Sequence, residues 1–127
     1  SDARGWDAQA ENLAKPLVAD GALVAGIDLA RLVDNLERDG GECVYPDGDL
    51  ENLSHYVQGY ARLPTYFRPI LVGAHQGASF AYATLAQAPR NTFAGALDVM
   101  FVNLDPDEVP LQLLRHGARC ARAKKRV

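Results

Sequence analysis

No stretch of this chain approaches the run of about eighteen apolar residues that a membrane-spanning helix requires. Nor does the N-terminus carry a basic segment followed by an apolar core, as a secretion signal would. A transmembrane segment is therefore not expected. Cysteine is scarce: only Cys43 and Cys120 occur, which permits one disulfide but lacks the close spacing that would demand it. No histidine cluster accompanies them, so a metal site is not expected and a structural or free thiol is the simpler reading; no cofactor is expected either. Acidic residues are missing from the last thirteen positions, where Arg115, Arg119, Arg122, Lys124, Lys125 and Arg126 crowd together. The formal charge of −3 thus conceals a preceding body of 114 residues with seven basic groups against sixteen acidic ones. A body of that sign argues against nucleic acid as a partner, because neutralising phosphates needs clustered cations. The basic tail by itself reads as a solvated terminus.

What is present suits one globular domain: 48% of the 127 residues are hydrophobic and 23% charged, enough to bury a core. Behind the polar loop Ser1 to Gly5, the residues Trp6, Ala10, Leu13, Ala14 and Leu17 recur at helical spacing. Asp7 and Glu11 favour the start of that helix. Pro16 costs about 3 kcal/mol in a helix interior and predicts a kink or an irregular last turn. Asp20-Gly21 ends the helix, and the apolar run Ala22 to Ile27 predicts a short parallel strand covered on both faces. Asp28 closes that run at the strand end where ligands bind in open α/β sheets, which makes it either a site residue or a plain cap. A weak helical pattern follows from Leu29 to Glu42, and Pro46-Asp47-Gly48 predicts a turn. With Asp49 as N-cap, Leu50, Leu53, Val57, Tyr60 and Ala61 predict a helix ending near Leu63-Pro64, with His55 off its apolar stripe.

The stretch that organises the rest is Arg68 to Ser79, RPILVGAHQGAS: an apolar run, a glycine-bracketed turn, then an alanine-rich helix halted at Pro89. Gly77, Ala78, Ala81 and Ala86 keep that helix slim enough to lie close on a sheet. Phe93 to Val102 predicts one further buried strand, interrupted by Asp98, a carboxylate that needs partners there. Alternating helices and strands predict βαβ units, hence an α/β fold with a parallel sheet. Residues 1–102 are expected to form the domain, and residues 103–127, acidic and proline-broken before they turn basic, a poorly ordered linker or tail.

Gly73-Ala74-His75-Gln76-Gly77 has the spacing of the G-x-S-x-G nucleophile elbow, in which a strained strand-to-helix turn exposes the middle side chain. The middle residue here is His75, which supplies no alkoxide. The scaffold for an oxyanion is nonetheless readable: one N–H from Gln76, after the apex, and one from the Asp2-Ala3 loop. Ser79, Asp98 and His116 do fall in the hydrolase order of serine, acid and histidine. Ser79, however, lies one helical turn past the apex, so this catalytic set is the rival reading. The favoured one is a binding crevice formed by His75, Gln76, Asp2, Ala3 and Asp28.

These landmarks together resemble the bacterial virulence family typified by VirJ and AcvB. The similarity rests on Trp6 after the polar glycine loop, on Gly26-Ile27-Asp28 and on Gly73 to Ser79, and spans roughly Ser1 to Val102. It implies a periplasmic, three-layer α/β-hydrolase-like domain, truncated at its start by one strand. Longer members carry the fold twice, with a serine elbow in the C-terminal copy, and this chain is similar to the N-terminal, serine-less copy. The implied partners are a second hydrolase domain and a lipid headgroup or small anion, since the family is associated with hydrolysis of aminoacylated lipid. An unorthodox esterase and a purely structural, oligomer-forming module stand as alternatives.

Overall fold

The structure, a computed structural model, describes residues 5–38 and 44–99. Four helices and two strands follow one another in these segments: α1 (Ala8–Ala19), α2 (Leu29–Arg38), α3 (Pro46–Tyr60), β1 (Ile70–Ala74), α4 (Gln76–Gln87) and β2 (Gly95–Val99). The fold is mixed α/β.

Local chemistry explains most of the boundaries. Asp7 caps α1, its Oδ1 accepting from Ala10 N–H at 2.9 Å. At the other end Gly21 adopts φ +90 and donates to Val18 O, while Ala22 N–H reaches Leu17 O. This pair of bonds is a Schellman motif, and the left-handed residue it needs is supplied by glycine. The helix runs through Pro16 to that cap, so the proline is accommodated inside its last turns. The predicted turn at Pro46-Asp47-Gly48 is instead the first turn of α3. Proline at a helix start forfeits an N–H that would have no partner anyway, and Asp47 and Asp49 favour the positive end of the helix dipole.

The predicted strand over Ala22 to Ile27 does not form: residues 22–28 have no regular secondary structure. Its residues are mostly exposed, with only Val24, Ile27 and Asp28 half-buried. A short apolar run has no period of its own to mark it as a strand, and alanine and glycine contribute little β preference. What the segment does instead is receive Trp6: a Cβ on Gly26 would stand 2.9 Å from the Trp6 ring, so the indole lies directly on the glycine backbone.

β1 and β2 pair in parallel, Ile70 opposite Gly95 and Ala74 opposite Val99. α4 connects them and packs on both strands, and α3 packs against α4. The buried face of α4 consists of Gly77, Ala78, Ser79, Ala81 and Thr84, with Ala78 only 1% exposed. Ala86, expected to share that face, is exposed. Phe93 and Leu50 complete this core, and Leu29 and Leu36 are the buried residues of α2. Ile70, Val72 and Leu97, by contrast, are exposed. Residue 72 pairs with 97, so the two side chains share one face of the sheet. Parallel sheets ordinarily carry cover on both faces. In the described residues α4 covers one.

Candidate functional site

The elbow forms as its sequence predicts. β1 ends at Ala74 and α4 begins at Gln76, so a single residue, His75, makes the turn between them. Its φ of 54 and ψ of −119 lie outside the regions open to ordinary L-residues, a strain of roughly 1–3 kcal/mol. Ala78 N–H donates to His75 O at 3.1 Å and tightens the first turn of the helix. The flanking glycine is obligatory: a Cβ on Gly73 would overlap the carbonyl of Gly77 and come within 2.6 Å of Ala78 N. Strand and helix therefore touch through backbone alone, which aims His75 out at the C-terminal edge of β1. The imidazole is half-buried there, and no hydrogen bond ties it to the helix start.

Strain held at one position for the sake of its side chain has a measurable consequence. His75→Gly is expected to stabilise the fold by about 1 kcal/mol, since relief of the backbone outweighs the extra freedom of the unfolded chain. Urea denaturation at constant m-value would read it.

The other expected site residues divide three ways. Gln76 is the first residue of α4, directly beside the apex. Asp28 is employed elsewhere: its Oδ1 accepts from Arg31 N–H at 3.1 Å, its Oδ2 lies 3.7 Å from Arg31 Nε, and a Cβ on Gly5 would stand 3.0 Å from Oδ2. It is the N-cap of α2 and packs on the Gly5 backbone, so it ends no strand. Asp2, Ala3 and His116 fall outside the described residues, as do Cys43 and Cys120.

For the rival triad, Ser79 is 8% exposed on the buried face of α4, one turn inside the helix. Asp98 lies in β2 at the register position opposite Gly73. The elbow thus brings Asp98 close to the turn along the sheet, while Ser79 is held in the core and away from the apex. Among the described residues no group of three or more His, Cys, Asp or Glu is placed to hold a metal ion. No helix among them is long and apolar enough to cross a membrane.

Sequence reasoning overlooked the stretch opposite the elbow. Residues 61–69 fold back on α3, where the Gln58 side chain donates from Nε2 to Phe67 O at 2.7 Å and accepts from Phe67 N–H at 2.9 Å. The His55 ring stacks on Tyr66 with centroids 3.9 Å apart. The only signal in the sequence was the density of tyrosine and phenylalanine between Tyr56 and Phe67. No family model, curated protein or solved structure matches this chain, so the elbow rests on its own geometry.

Proposed function

We propose that this chain is the serine-less, three-layer α/β-hydrolase-like domain of a periplasmic virulence-associated protein, one that binds and does not hydrolyse. The observation that carries the proposal is the elbow itself: a strained turn with the glycine contact of a nucleophile elbow, an imidazole at its apex, and the nearest hydroxyl, Ser79, packed in the core. Elbow geometry directs whatever stands at the apex, together with the N-terminus of the following helix, at one point outside the sheet. With serine the point holds an acyl carbon. With histidine it suits an anionic group, such as a phosphate-bearing lipid headgroup or a small anion, supplied to or shared with a partner hydrolase domain.

A fluorophosphonate probe and p-nitrophenyl acetate separate this from the esterase reading. The expected result is no labelling at Ser79 and no turnover above that of free imidazole. Inorganic phosphate, titrated into labelled protein, is expected to move the His75 and Gln76 resonances. Stoichiometric labelling of Ser79, or turnover abolished by His75→Ala, would sink the binding-only reading.

A second reading has its own support. The exposed apolar residues Ile70, Val72 and Leu97 on a parallel sheet suit an oligomer-forming module. Light scattering over a concentration series decides it, because a monomer throughout removes that role.

A further inference from the structure

We infer that the C-terminal half of α3 and the 61–69 loop form a docking surface for an acidic segment of a partner protein. The surface lies at the edge opposite the elbow. α3 ends there, β1 starts there, and the turn from α4 into β2 closes it: Ala94 N–H donates to Pro69 O at 2.9 Å and Arg68 Nη1 to Asn91 Oδ1 at 3.0 Å.

Its composition sets it apart from the N-terminal part of the chain. Residues 1–51 hold twelve acidic groups against four basic, yet no aspartate or glutamate occurs from Asn52 to Leu97, where Arg62, Arg68 and Arg90 are the only charged residues besides histidine. All three arginines are exposed, and among the described residues none of them is ion-paired. With them stand Tyr60, 83% exposed, Tyr56, 71%, and Phe67, 58%. Exposed tyrosine and arginine without neighbouring carboxylates is the composition of interface hot spots. Tyr66 and the backbone that carries Phe67 are also held in place. Tyr56 and Tyr60 stack with centroids 6.5 Å apart, Tyr66 is fixed between the His55 ring and the Ser54 hydroxyl, and Gln58 clamps the backbone of Phe67. A surface ordered in advance loses little entropy on binding.

Two residues stand where local chemistry alone would not put them. Gly59, the penultimate residue of α3, has no left-handed φ, and a Cβ there would meet nothing within 4 Å among the described residues, so neither conformation nor packing within them requires a glycine. It neighbours His55 and Tyr56 on the helix surface, leaving a bare floor between the two aromatic stacks. Three residues on, α3 ends in a Schellman motif, with Arg62 N–H bonded to Gly59 O and Leu63 N–H to Gln58 O. The left-handed position that glycine favours is occupied by Arg62 at φ 54. A ligand that needs both close approach to the helix and a cation at its end accounts for the pair.

Charge complementarity selects the occupant. Arginine recognises carboxylates by paired, charge-assisted hydrogen bonds, and the aromatic stacks take the apolar side chains between them. Three cations are too few for this surface to hold a nucleic acid or an anionic membrane beside the acidic N-terminal part of the chain. The chain's own acids are partly engaged already: Asp7 and Asp28 cap helices, and Glu11 pairs with Lys15.

Panning a random peptide library on the full chain at low ionic strength tests the inference. Recovered peptides are expected to be rich in aspartate or glutamate beside aliphatic or aromatic residues. One of them, fluorescein-labelled, should bind saturably and weaken as salt rises. Arg62→Gly and Gly59→Leu should each weaken it about tenfold while leaving the melting temperature at or above that of the parent, which a merely structural role would not do. Recovery of peptides without acidic bias would overturn the proposal, as would unchanged affinity in both variants. Tighter binding of oligothymidylate or phosphatidylglycerol vesicles that is lost on Arg62→Gly but kept on His75→Ala would equally overturn it, and so would salt-sensitive self-association lost on Arg62→Gly, which would assign the surface to a second copy of the chain.

Discussion

Replacing Gly73 by alanine is expected to destabilise the protein by about 3 kcal/mol or more, a large fraction of the roughly 5–15 kcal/mol by which domains are stable. The added Cβ would overlap the carbonyl of Gly77. That neighbour is backbone in the first turn of α4, so no rotamer change makes room. Either α4 lifts from the strand or the turn at His75 opens, and both separate Ala78, Ala81 and Thr84 from the sheet they pack on. Gly95, the other strand glycine, is the control. Among the described residues a Cβ there would meet nothing within 4 Å, and Gly95→Ala should change stability by less than about 1 kcal/mol. Denaturant midpoints of the two variants, taken with far-ultraviolet circular dichroism, measure the difference. Equal midpoints would mean that helix and strand do not meet through bare backbone at the elbow.

Phe93→Ala is the second large effect, at about 3–5 kcal/mol. Phe93 is 6% exposed and is the bulkiest side chain among the buried apolar residues. It stands two residues before β2, so its loss leaves a cavity where the second strand enters the core. The small residues of α4 cannot spread to fill it. Phe67→Ala, on the exposed loop opposite the elbow, should cost no more than about 0.5 kcal/mol, because its ring lies largely in water already. The two phenylalanines are equivalent in composition and differ only in what surrounds them. A thermal melt of each variant separates them, and comparable losses would place Phe93 outside the core.

Much of the fold was legible along the chain. The limits of α1 were readable from Asp7, Asp20 and Gly21 because capping is local chemistry, settled by residues a turn apart. The elbow was readable for a similar reason: two glycines at fixed spacing between an apolar run and a helix leave few alternative backbones. The run from Ala22 to Ile27 misled because a strand exists only through its partner, and composition does not say whether a partner is there. Pro46-Asp47-Gly48 misled because the same three residues suit a turn and a helix start, and the choice depends on the apolar side chains that follow.

The site divides along the same line. His75 at the apex, Gln76 after it and Ser79 one turn inside are consequences of spacing, and the sequence by itself determined them. That Ser79 is sealed against the sheet, that Asp28 serves as the cap of α2 and that Asp98 stands opposite Gly73 were decided only by tertiary structure, because burial and register arise between segments distant in the chain. The exposed aromatic and arginine edge belongs to this second class. The absence of acids from Asn52 to Leu97 can be read along the chain, but only the folding back of the 61–69 loop on α3 gathers the aromatic residues beside Gly59, over which no described residue lies within 4 Å of an added Cβ.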